Sequence, residues 1–534
     1  MKKVLMLIAH VTMVIFLLAG CGEAAPKAPQ GEKILIEGKG GDCVTLDPFN
    51  ATDIASWRVA RQIYDTLVGF EEASFNLTPS LATSWETSED GTIYIFTLRE
   101  GVKFHDGTDF NADAVVFNTE RWWDESHEYH NGTFGNVVNF FGGFKGDPAC
   151  RILDVQALDK YRVQFTLSGV FPAFLARLTD PSLGIISPAA IKKHGKAIGQ
   201  NPVGTGPFAF QAWIPNDSIT LAKNTEYWQN GLPKLDKLIF KVIPDNTARL
   251  IALQAGEIDI MDSLNASDLK VVNANSKLQL ITRPAINCGF FWFNMTVAPF
   301  DNVKVRRAVC MAIDRQGLID SIYGGLAIPA KSILSPSSWA YNDDIVDYEY
   351  DPKAAKALLD EAGYPDGFST QIWVRGEPRA YFPQPQKMAQ SMQADLAEIG
   401  INATIVTYDG PTYSNYVYGA EYTMAAWGTG GSDPDPSLAI SHYFIKTYAE
   451  TKVASNAARY INDEVSELLE RARNILDQEE RTELYRRAQQ IIHDDAPVLT
   501  MFHTNSLMAA ADYVKNYTPF TDYYELYLNV DIVK

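Results

Sequence analysis

The sequence predicts an α/β protein with at least two lobes. Strand and helix patterns alternate along the chain, which indicates the α/β or α+β class. The chain has 534 residues, whereas a single hydrophobic core stops growing near about 250–300 residues. Hydrophobic residues make up 46% of the chain and charged residues 21%, which is typical of a folded protein rather than a disordered one.

The first 21 residues have the pattern of an export signal. Lys2 and Lys3 precede an apolar run that ends at Ala19, and this run is too short to cross a bilayer comfortably. The sequence Leu18-Ala19-Gly20-Cys21 resembles a bacterial lipobox, in which the cysteine is acylated. We therefore expect residues 1–21 to be a lipoprotein signal peptide, residues 22–32 to be a flexible tether, and Cys21 to anchor the protein to the membrane from outside the cytoplasm. The alternative is an uncleaved anchor helix.

Four segments after the tether have strand patterns. They are rich in β-branched and aromatic residues, show period-2 alternation in part, and are bounded by turn residues. These predicted strands are Lys33–Glu37, Thr92–Leu98, Arg162–Leu167 and Lys237–Ile243.

Seven segments show helical spacing of apolar residues or a matched pair of end signals. Asp245 and Asp351 are candidate N-caps, and Gly256 and Gly363 are candidate ends. Asp301 is the simplest cap for the helix that follows it. The predicted helices are Trp57–Leu67, Asn111–Trp123, the segment from Asp245 to Gly256, Val303–Ile313, the segment from Asp351 to Gly363, Gln386–Glu398, and one or two helices within Asn462–Asp495.

Charge and cysteine content exclude several classes of protein. With 46 basic and 65 acidic residues the net charge is −19, which opposes general nucleic-acid binding and charge-driven binding to anionic lipid. Five cysteines in so long a chain do not form a disulfide scaffold. The pairing of the four that follow the signal stays open; they are Cys43, Cys150, Cys288 and Cys310.

Five blocks, spread over most of the chain, resemble the large solute-binding proteins of peptide, nickel and opine ABC importers. The branch that they resemble most binds dipeptides and glutathione. The blocks are Leu77–Val115, Asn201–Phe208, Asp245–Met261, Phe293–Arg315 and Asp351–Ser369.

The resemblance implies a type II periplasmic-binding-protein fold of the large, cluster-C-like kind. Lobe I would comprise residues 33–283 and 507–534, with an extra subdomain inserted at about 55–200, and lobe II would comprise residues 284–506. The chain would cross between the lobes near Arg283–Asn287 and His503–Leu507. A ligand would then be enclosed between the lobes by hinge closure.

Arg379 is the first candidate ligand-binding residue. It precedes a Tyr-x-Pro segment, which resembles the dipeptide-binding pattern in which an arginine receives the C-terminal carboxylate of the peptide. A guanidinium group suits this role because its planar fork can donate two parallel hydrogen bonds to a carboxylate. The alternative is a solvated loop arginine.

The second candidate is the loop that begins at Trp427. In the dipeptide binders a similar loop has, three residues after the tryptophan, an aspartate that receives the peptide ammonium group, but here that position is Gly430. Asp433 is a substitute for that aspartate or merely part of a turn. Trp427 is expected to line the cleft, with core packing as the alternative.

Two further segments are expected to face the ligand by the geometry of the resembled family. One is the loop with Cys43. The other contains Cys288 and Phe290, whose backbone would pair with an extended peptide as an added strand.

The sequence contains no GxSxG, HExxH or GxxxxGK motif, so we expect a binding protein rather than an enzyme, without cofactor or metal. The resemblance implies a short peptide ligand, such as a di- or oligopeptide or glutathione, and an ABC permease as partner. We expect a monomer. A nickel-chelate, haem or opine carrier on the same scaffold is the alternative.

Overall fold

Helices and strands alternate along the chain, which confirms the predicted mixed α/β class. The computed structural model describes residues 31–71, 75–284, 286–430, 435–450, 455–520 and 524–534. Residues 33–534 cluster as one unit. The predicted signal peptide with Cys21, and most of the predicted tether, lie outside the described residues. Within the described residues, no helix has the length and apolar character needed to span a membrane.

Most strands belong to two large sheets. In chain order the strands are β1 (Ile34–Lys39), β2 (Val68–Phe70), β3 (Leu77–Pro79), β4 (Ala82–Thr87), β5 (Ile93–Leu98), β6 (Ile152–Asp159), β7 (Arg162–Leu167), β8 (Phe208–Ile214), β9 (Ser218–Lys223), β10 (Lys237–Val242), β11 (Ile260–Met261), β12 (Leu278–Arg283), β13 (Cys288–Phe293), β14 (Ala327–Pro329), β15 (Phe368–Arg375), β16 (Ile401–Tyr408), β17 (Met424–Thr429), β18 (Val498–Thr504), β19 (Ser506–Ala511), β20 (Val514–Lys515) and β21 (Asp531–Ile532).

Helices follow most of the longer strands. They are α1 (Ile54–Ile63), α2 (Ala112–Trp123), α3 (Gly135–Phe141), α4 (Phe174–Arg177), α5 (Pro188–His194), α6 (Asn246–Ala255), α7 (Leu269–Asn273), α8 (Val303–Ala312), α9 (Arg315–Tyr323), α10 (Pro352–Glu361), α11 (Pro385–Glu398), α12 (Gly410–Tyr418), α13 (Pro436–Phe444), α14 (Asp463–Ala472) and α15 (Gln478–Asp495). Short 3₁₀ helices cover Pro181–Leu183, Gly195–Gln200, Ala266–Asp268 and Lys446–Tyr448.

The chain passes twice between the two large sheets. The first sheet has seven strands in the order β12-β19-β11-β1-β10-β9-β8, and the second has six in the order β14-β18-β13-β17-β15-β16. One connection, residues 284–287, joins β12 to β13, and the other, Asn505, joins β18 to β19. The lobe boundaries expected from the sequence stay a prediction.

A separate four-stranded sheet, in the order β4-β5-β7-β6, is built from chain that lies between β1 and β8 of the first sheet. Its inner face joins the same hydrophobic core as one face of the seven-stranded sheet, through residues such as Phe96, Phe165 and Leu238. This four-stranded sheet is therefore an insertion in the chain but not a separate core.

The central strand of the second sheet shows why its sequence is apolar at every position. Successive side chains of a strand point to opposite faces of the sheet. Phe291 and Phe293 enter the core on one face, whereas Cys288, Phe290 and Trp292 enter the core on the other. Because both faces are covered, all six residues of β13 are buried.

Capping side chains set several helix ends as the sequence predicts. The Asp245 carboxylate accepts from Ala248 N, and Gly256 ends that helix in the left-handed region. One cap differs from its prediction. The helix that begins at Val303 is capped by Asn302, whose side chain accepts from Lys304 N, rather than by Asp301. Asn302 lies directly before the helix, where its side-chain oxygen can reach the free N–H groups of the first turn.

The four cysteines after the signal are all buried and unpaired with one another. Cys310, in helix α8, packs in the core as a small hydrophobic residue would.

Candidate functional site

A cleft of about 1180 Å³ lies between the two large sheets, beside both connections. Its volume exceeds the roughly 300–1,000 Å³ that is typical of small-molecule sites. The residues that follow β1 and β11 line one side, and the loops that follow β15 and β17 line the other. These are the carboxyl ends of strands with parallel neighbours, where open α/β sheets bind ligands.

Arg379 lines this cleft from the loop between β15 and α11. Its side chain is exposed, and within the described residues it makes neither a hydrogen bond nor an ion pair. The loop is closed by two backbone hydrogen bonds, from Arg379 N to Phe382 O at 3.0 Å and from Phe382 N to Arg379 O at 2.9 Å. A free guanidinium group is thus presented on a fixed turn.

Two glycines on neighbouring strands let this turn lie directly on the sheet. Gly289 and Gly428 are cross-strand partners in β13 and β17. A Cβ on Gly289 would lie 2.7 Å from the ring of Phe382, and a Cβ on Gly428 would lie 2.6 Å from the ring of Tyr381. Side chains here would lift the loop, so the glycine pair fixes the height of Arg379 above the sheet.

The opposite wall of the cleft is made of paired charges. Arg58 Nη1 contacts Glu37 Oε1 at 2.9 Å and Asp262 Oδ2 at 2.7 Å, and Tyr527 donates to Glu37 Oε2 at 2.6 Å. Burial alone would lower the pKa of Arg58, but the two carboxylates raise it above its ordinary value. The Arg58 cation is therefore permanent and neutralised from behind.

Two more cations complete that wall. Arg283 forms an ion pair with the buried Glu525. Lys39 Nζ lies 3.0 Å from Cys43 Sγ, and the Cys43 thiol donates to Ala55 O at 3.3 Å. Burial raises the pKa of Cys43, with Lys39 opposing the rise, so the group is a thiol. Lys39 and Arg283 line the cleft, whereas Cys43 is buried behind it and differs from its expected ligand-facing position.

Trp427 is packed in the core, which was the alternative interpretation of this residue. It is 8% exposed, stacks parallel to Tyr413 with ring centroids 6.3 Å apart, and carries the Arg375 guanidinium 5.0 Å from its ring. It therefore supports the site from behind. Gly430 lies in the cleft wall. Asp433 lies outside the described residues.

The segment with Cys288 and Phe290 also differs from expectation. Its strand, β13, pairs with β17 on one edge and with β18 on the other. Both side chains are fully buried. A strand whose two edges are already paired has no row of free N–H and C=O groups to offer, so a peptide cannot add to the sheet at this segment.

The sequence of this chain matches a known protein family. Residues 76–450 match the model of the bacterial extracellular solute-binding proteins, family 5 (middle region). The chain belongs to this family. Its mixed fold is that of the type II periplasmic binding proteins.

Two sequence relatives and one solved structure are similar to this family 5 protein over most of its length. Heme-binding protein A of Haemophilus influenzae is 37% identical over 484 residues, covering 89% of this chain and 87% of the relative. The dipeptide-binding protein of Escherichia coli (strain K12) is 35% identical over 466 residues, covering 85% and 86%. The structure of HbpA2 from Haemophilus parasuis superposes with a TM-score of 0.88 at 29% identity, covering 94% of this chain and 100% of that one.

Several cleft residues of this family 5 protein were not found from the sequence. Lys39 has a local signal, since it ends the first predicted strand and precedes Gly40-Gly41. Arg58 has a weaker one, because it is the only charged residue among the buried positions of helix α1. Asp262 and Arg283 carry no local signal, because only the fold brings them to the cleft.

The two connections of this family 5 protein are tied together by one side chain. Asn287 Oδ1 accepts from Thr504 N at 3.1 Å and from Thr504 Oγ1 at 2.8 Å, and Asn287 Nδ2 donates to Thr504 O at 3.2 Å. Thr504 Oγ1 also lies 3.1 Å from Ala380 O in the Arg379 loop, so its one proton can be donated to either acceptor. The crossing point and the candidate anchor thus share one buried hydrogen-bond network.

Proposed function

We propose that this protein is the substrate-binding component of an ABC importer and that it captures short peptides in the cleft between its two large sheets. The observation that carries the proposal is Arg379, a free guanidinium group on a fixed turn beside a large cleft whose other arginines, Arg58 and Arg283, are paired with carboxylates. The peptide leaves chemically unchanged and passes to a permease in the membrane.

The charges of the cleft explain why a carboxylate would bind at Arg379. Arg58 and Arg283 already have carboxylate partners, so their positive charge is balanced within the protein. Arg379 has no such partner among the described residues. A charge-assisted hydrogen bond is worth about 1.5–3 kcal/mol, so the terminal carboxylate of a peptide contributes about a fifth to a third of the free energy of a micromolar affinity there.

We propose that the protein has the two lobes that the sequence predicts. Lobe I comprises residues 33–283 and 507–534, with the inserted subdomain at about 55–200, and lobe II comprises residues 284–506. The double connection at 284–287 and Asn505, held by Asn287 and Thr504, acts as the hinge. A ligand that contacts both lobes shifts the population towards a closed state.

The proposal includes the location of the protein. The signal-like residues 1–21 and the lipobox-like Cys21 support an acylated protein held on the outer face of the membrane, with residues 22–32 as a tether. The protein acts as a monomer and not as an enzyme. A net charge of −19 supports attachment by lipid rather than by electrostatic attraction to anionic headgroups.

Calorimetry on the purified protein, with a panel of di-, tri- and tetrapeptides and glutathione, tests the proposal. We expect at least one peptide to bind at micromolar concentration or below and to be recovered intact by mass spectrometry. A panel without any binder, or cleavage of the bound peptide, would overturn the proposal.

Haem is a second candidate ligand, because the relative with 37% identity is named for binding haem. A titration of the same protein with hemin, followed by its absorbance band, separates the two. Stoichiometric haem binding without peptide binding would favour a haem carrier on this scaffold.

A further inference from the structure

A second cavity, of about 610 Å³, opens beside the main cleft. It lies between the inserted segment, which contributes residues around α3 and α4, and helix α13. Thr429 and Gly430 line both spaces. A Cβ built on Gly430 would meet no described atom within 4 Å, so the place of its side chain is empty among the described residues.

The second cavity is rich in arginine. Four arginines line it, and no carboxylate is found among its described lining residues. These arginines are Arg151, Arg177, Arg473 and Arg481.

The arginines are not equally neutralised. Arg481 Nη2 contacts both oxygens of Asp435, at 2.9 and 2.7 Å, whereas Arg473 lies 3.6 Å from the largely exposed Glu470. Arg151 rests on an aromatic ring, with its guanidinium carbon 5.7 Å from the centroid of Phe171, and contacts no carboxylate among the described residues. The cavity therefore retains positive charge for an incoming anion.

A buried hydroxyl group adds an independent sign of a ligand. Ser441, in helix α13, is 2% exposed and lines the second cavity. Its Oγ has no hydrogen-bond partner among the described residues. Buried polar groups without partners are rare, and this one belongs to a residue of the cavity wall.

We propose that the second cavity binds a second carboxylate of the ligand, remote from the carboxylate held at Arg379. This inference rests on the proposed function and narrows it to acidic peptides. The ligand lies in the main cleft, passes Gly430, and places its acidic group among Arg151, Arg473 and the Ser441 hydroxyl.

Matched peptides that differ by one carboxylate test the proposal by calorimetry. The pairs are Glu-Ala-Ala with Gln-Ala-Ala, Ala-Glu-Ala with Ala-Gln-Ala, and glutathione with the analogue that has γ-aminobutyrate in place of its γ-glutamate. We expect at least one acidic member to bind about tenfold or more tightly than its neutral partner. The variants R151Q and R473Q should each reduce that preference at least threefold and leave the neutral peptide unaffected.

Arg471 provides the matched control, because it lies in the last turn of α14, two residues before Arg473, is exposed, and pairs with Glu480, neither of which lines the cavity. R471Q removes the same charge and should keep the full preference. Peptide binding without any acidic preference, or a preference that neither R151Q nor R473Q reduces, would overturn this inference alone. If no peptide binds, the proposed function fails and this inference fails with it.

Discussion

Gly430 lies where the main cleft and the arginine-rich second cavity meet. Its backbone lines both the main cleft and the arginine-rich cavity, and no described atom occupies the place of its side chain. In the dipeptide binders that the sequence resembles, this position carries an aspartate for the ligand ammonium group. The glycine offers no such carboxylate, and in our proposal the ligand passes it to reach the second cavity.

The variant G430D should reverse the ligand preference. The new carboxylate would face the junction, attract a peptide ammonium group and repel an acidic side chain. We expect neutral dipeptides to bind about threefold or more tightly and Glu-containing peptides to bind more weakly, both measured by calorimetry. Equal changes for the two kinds of peptide would contradict the role given to Gly430. Because a Cβ at this position would meet no described atom within 4 Å, we expect G430D to fold like the wild type.

Single residues could be predicted where chemistry is local, and not where packing decides. Arg379 was predicted from the resemblance of its local sequence to the dipeptide-binding pattern; it lines the cleft, and its role in binding stays a prediction. Trp427 and Cys43 were expected in the cleft but are buried. Tyr413, fourteen residues before Trp427, and Ala55, twelve residues after Cys43, provide the contacts that bury them, and no sequence pattern reveals such contacts.

At the scale of elements, the Arg379 loop depends on the sheet below it. The rings of Tyr381 and Phe382 occupy the spaces left by Gly428 and Gly289. Tyr323 donates to Tyr381 O at 2.7 Å and holds the loop from the side of α9. The loop is therefore positioned by contacts on both β17 and α9 rather than by its own sequence.

Replacing Gly428 by alanine should displace this loop. A methyl group 2.6 Å from the Tyr381 ring forces the ring and the adjacent Arg379 away from the sheet. Overpacking of this kind costs about 1–3 kcal/mol of stability, and we expect peptide affinity to fall at least fivefold. Gly376, in the same loop, is the control, because a Cβ there would make only ordinary contacts at 3.6 Å and beyond. A G428A variant with unchanged affinity would show that the loop does not set the position of Arg379.

Elements with signals at both ends were predicted almost to the residue. The helix between Asp351 and Gly363 covers Pro352–Glu361, and the expected one or two helices of the charged segment are α14 and α15. Helices such as α12 and α13 were missed. Both are nine residues long and rich in aromatic residues, so their apolar residues do not form the one-sided stripe from which a helix is recognised.

At the scale of the whole molecule, the crossing point contains a histidine that is held neutral. His503 lies near the second connection and is fully buried. Its Nδ1 is 2.9 Å from Asn287 O. Burial lowers the pKa of His503 to about 4. The folded state therefore resists protonation of this ring, while the unfolded chain takes up the proton at an ordinary pKa near about 6.5.

Stability should consequently fall as the pH is lowered from 7 to 4. Because the unfolded state binds more protons in this range, the free energy of unfolding rises with pH, and His503 accounts for about 3 kcal/mol of the change. The variant H503Q should lose correspondingly less stability over the same interval in urea titrations. H194Q, on helix α5 and away from the crossing, should follow the wild type. Parallel pH profiles for wild type and H503Q would exclude His503 as the source.

The central claim is that a peptide is held by its terminal carboxylate at Arg379. The most direct measurement is a calorimetric cycle with the tightest-binding peptide and its C-terminal amide, on the wild type and on R379Q. We predict that amidation weakens binding to the wild type by about 10- to 100-fold, as expected for one charge-assisted hydrogen-bond pair, and that amidation has little further effect on R379Q. If amidation weakened binding equally in both proteins, Arg379 would not be the anchor and the account would be contradicted.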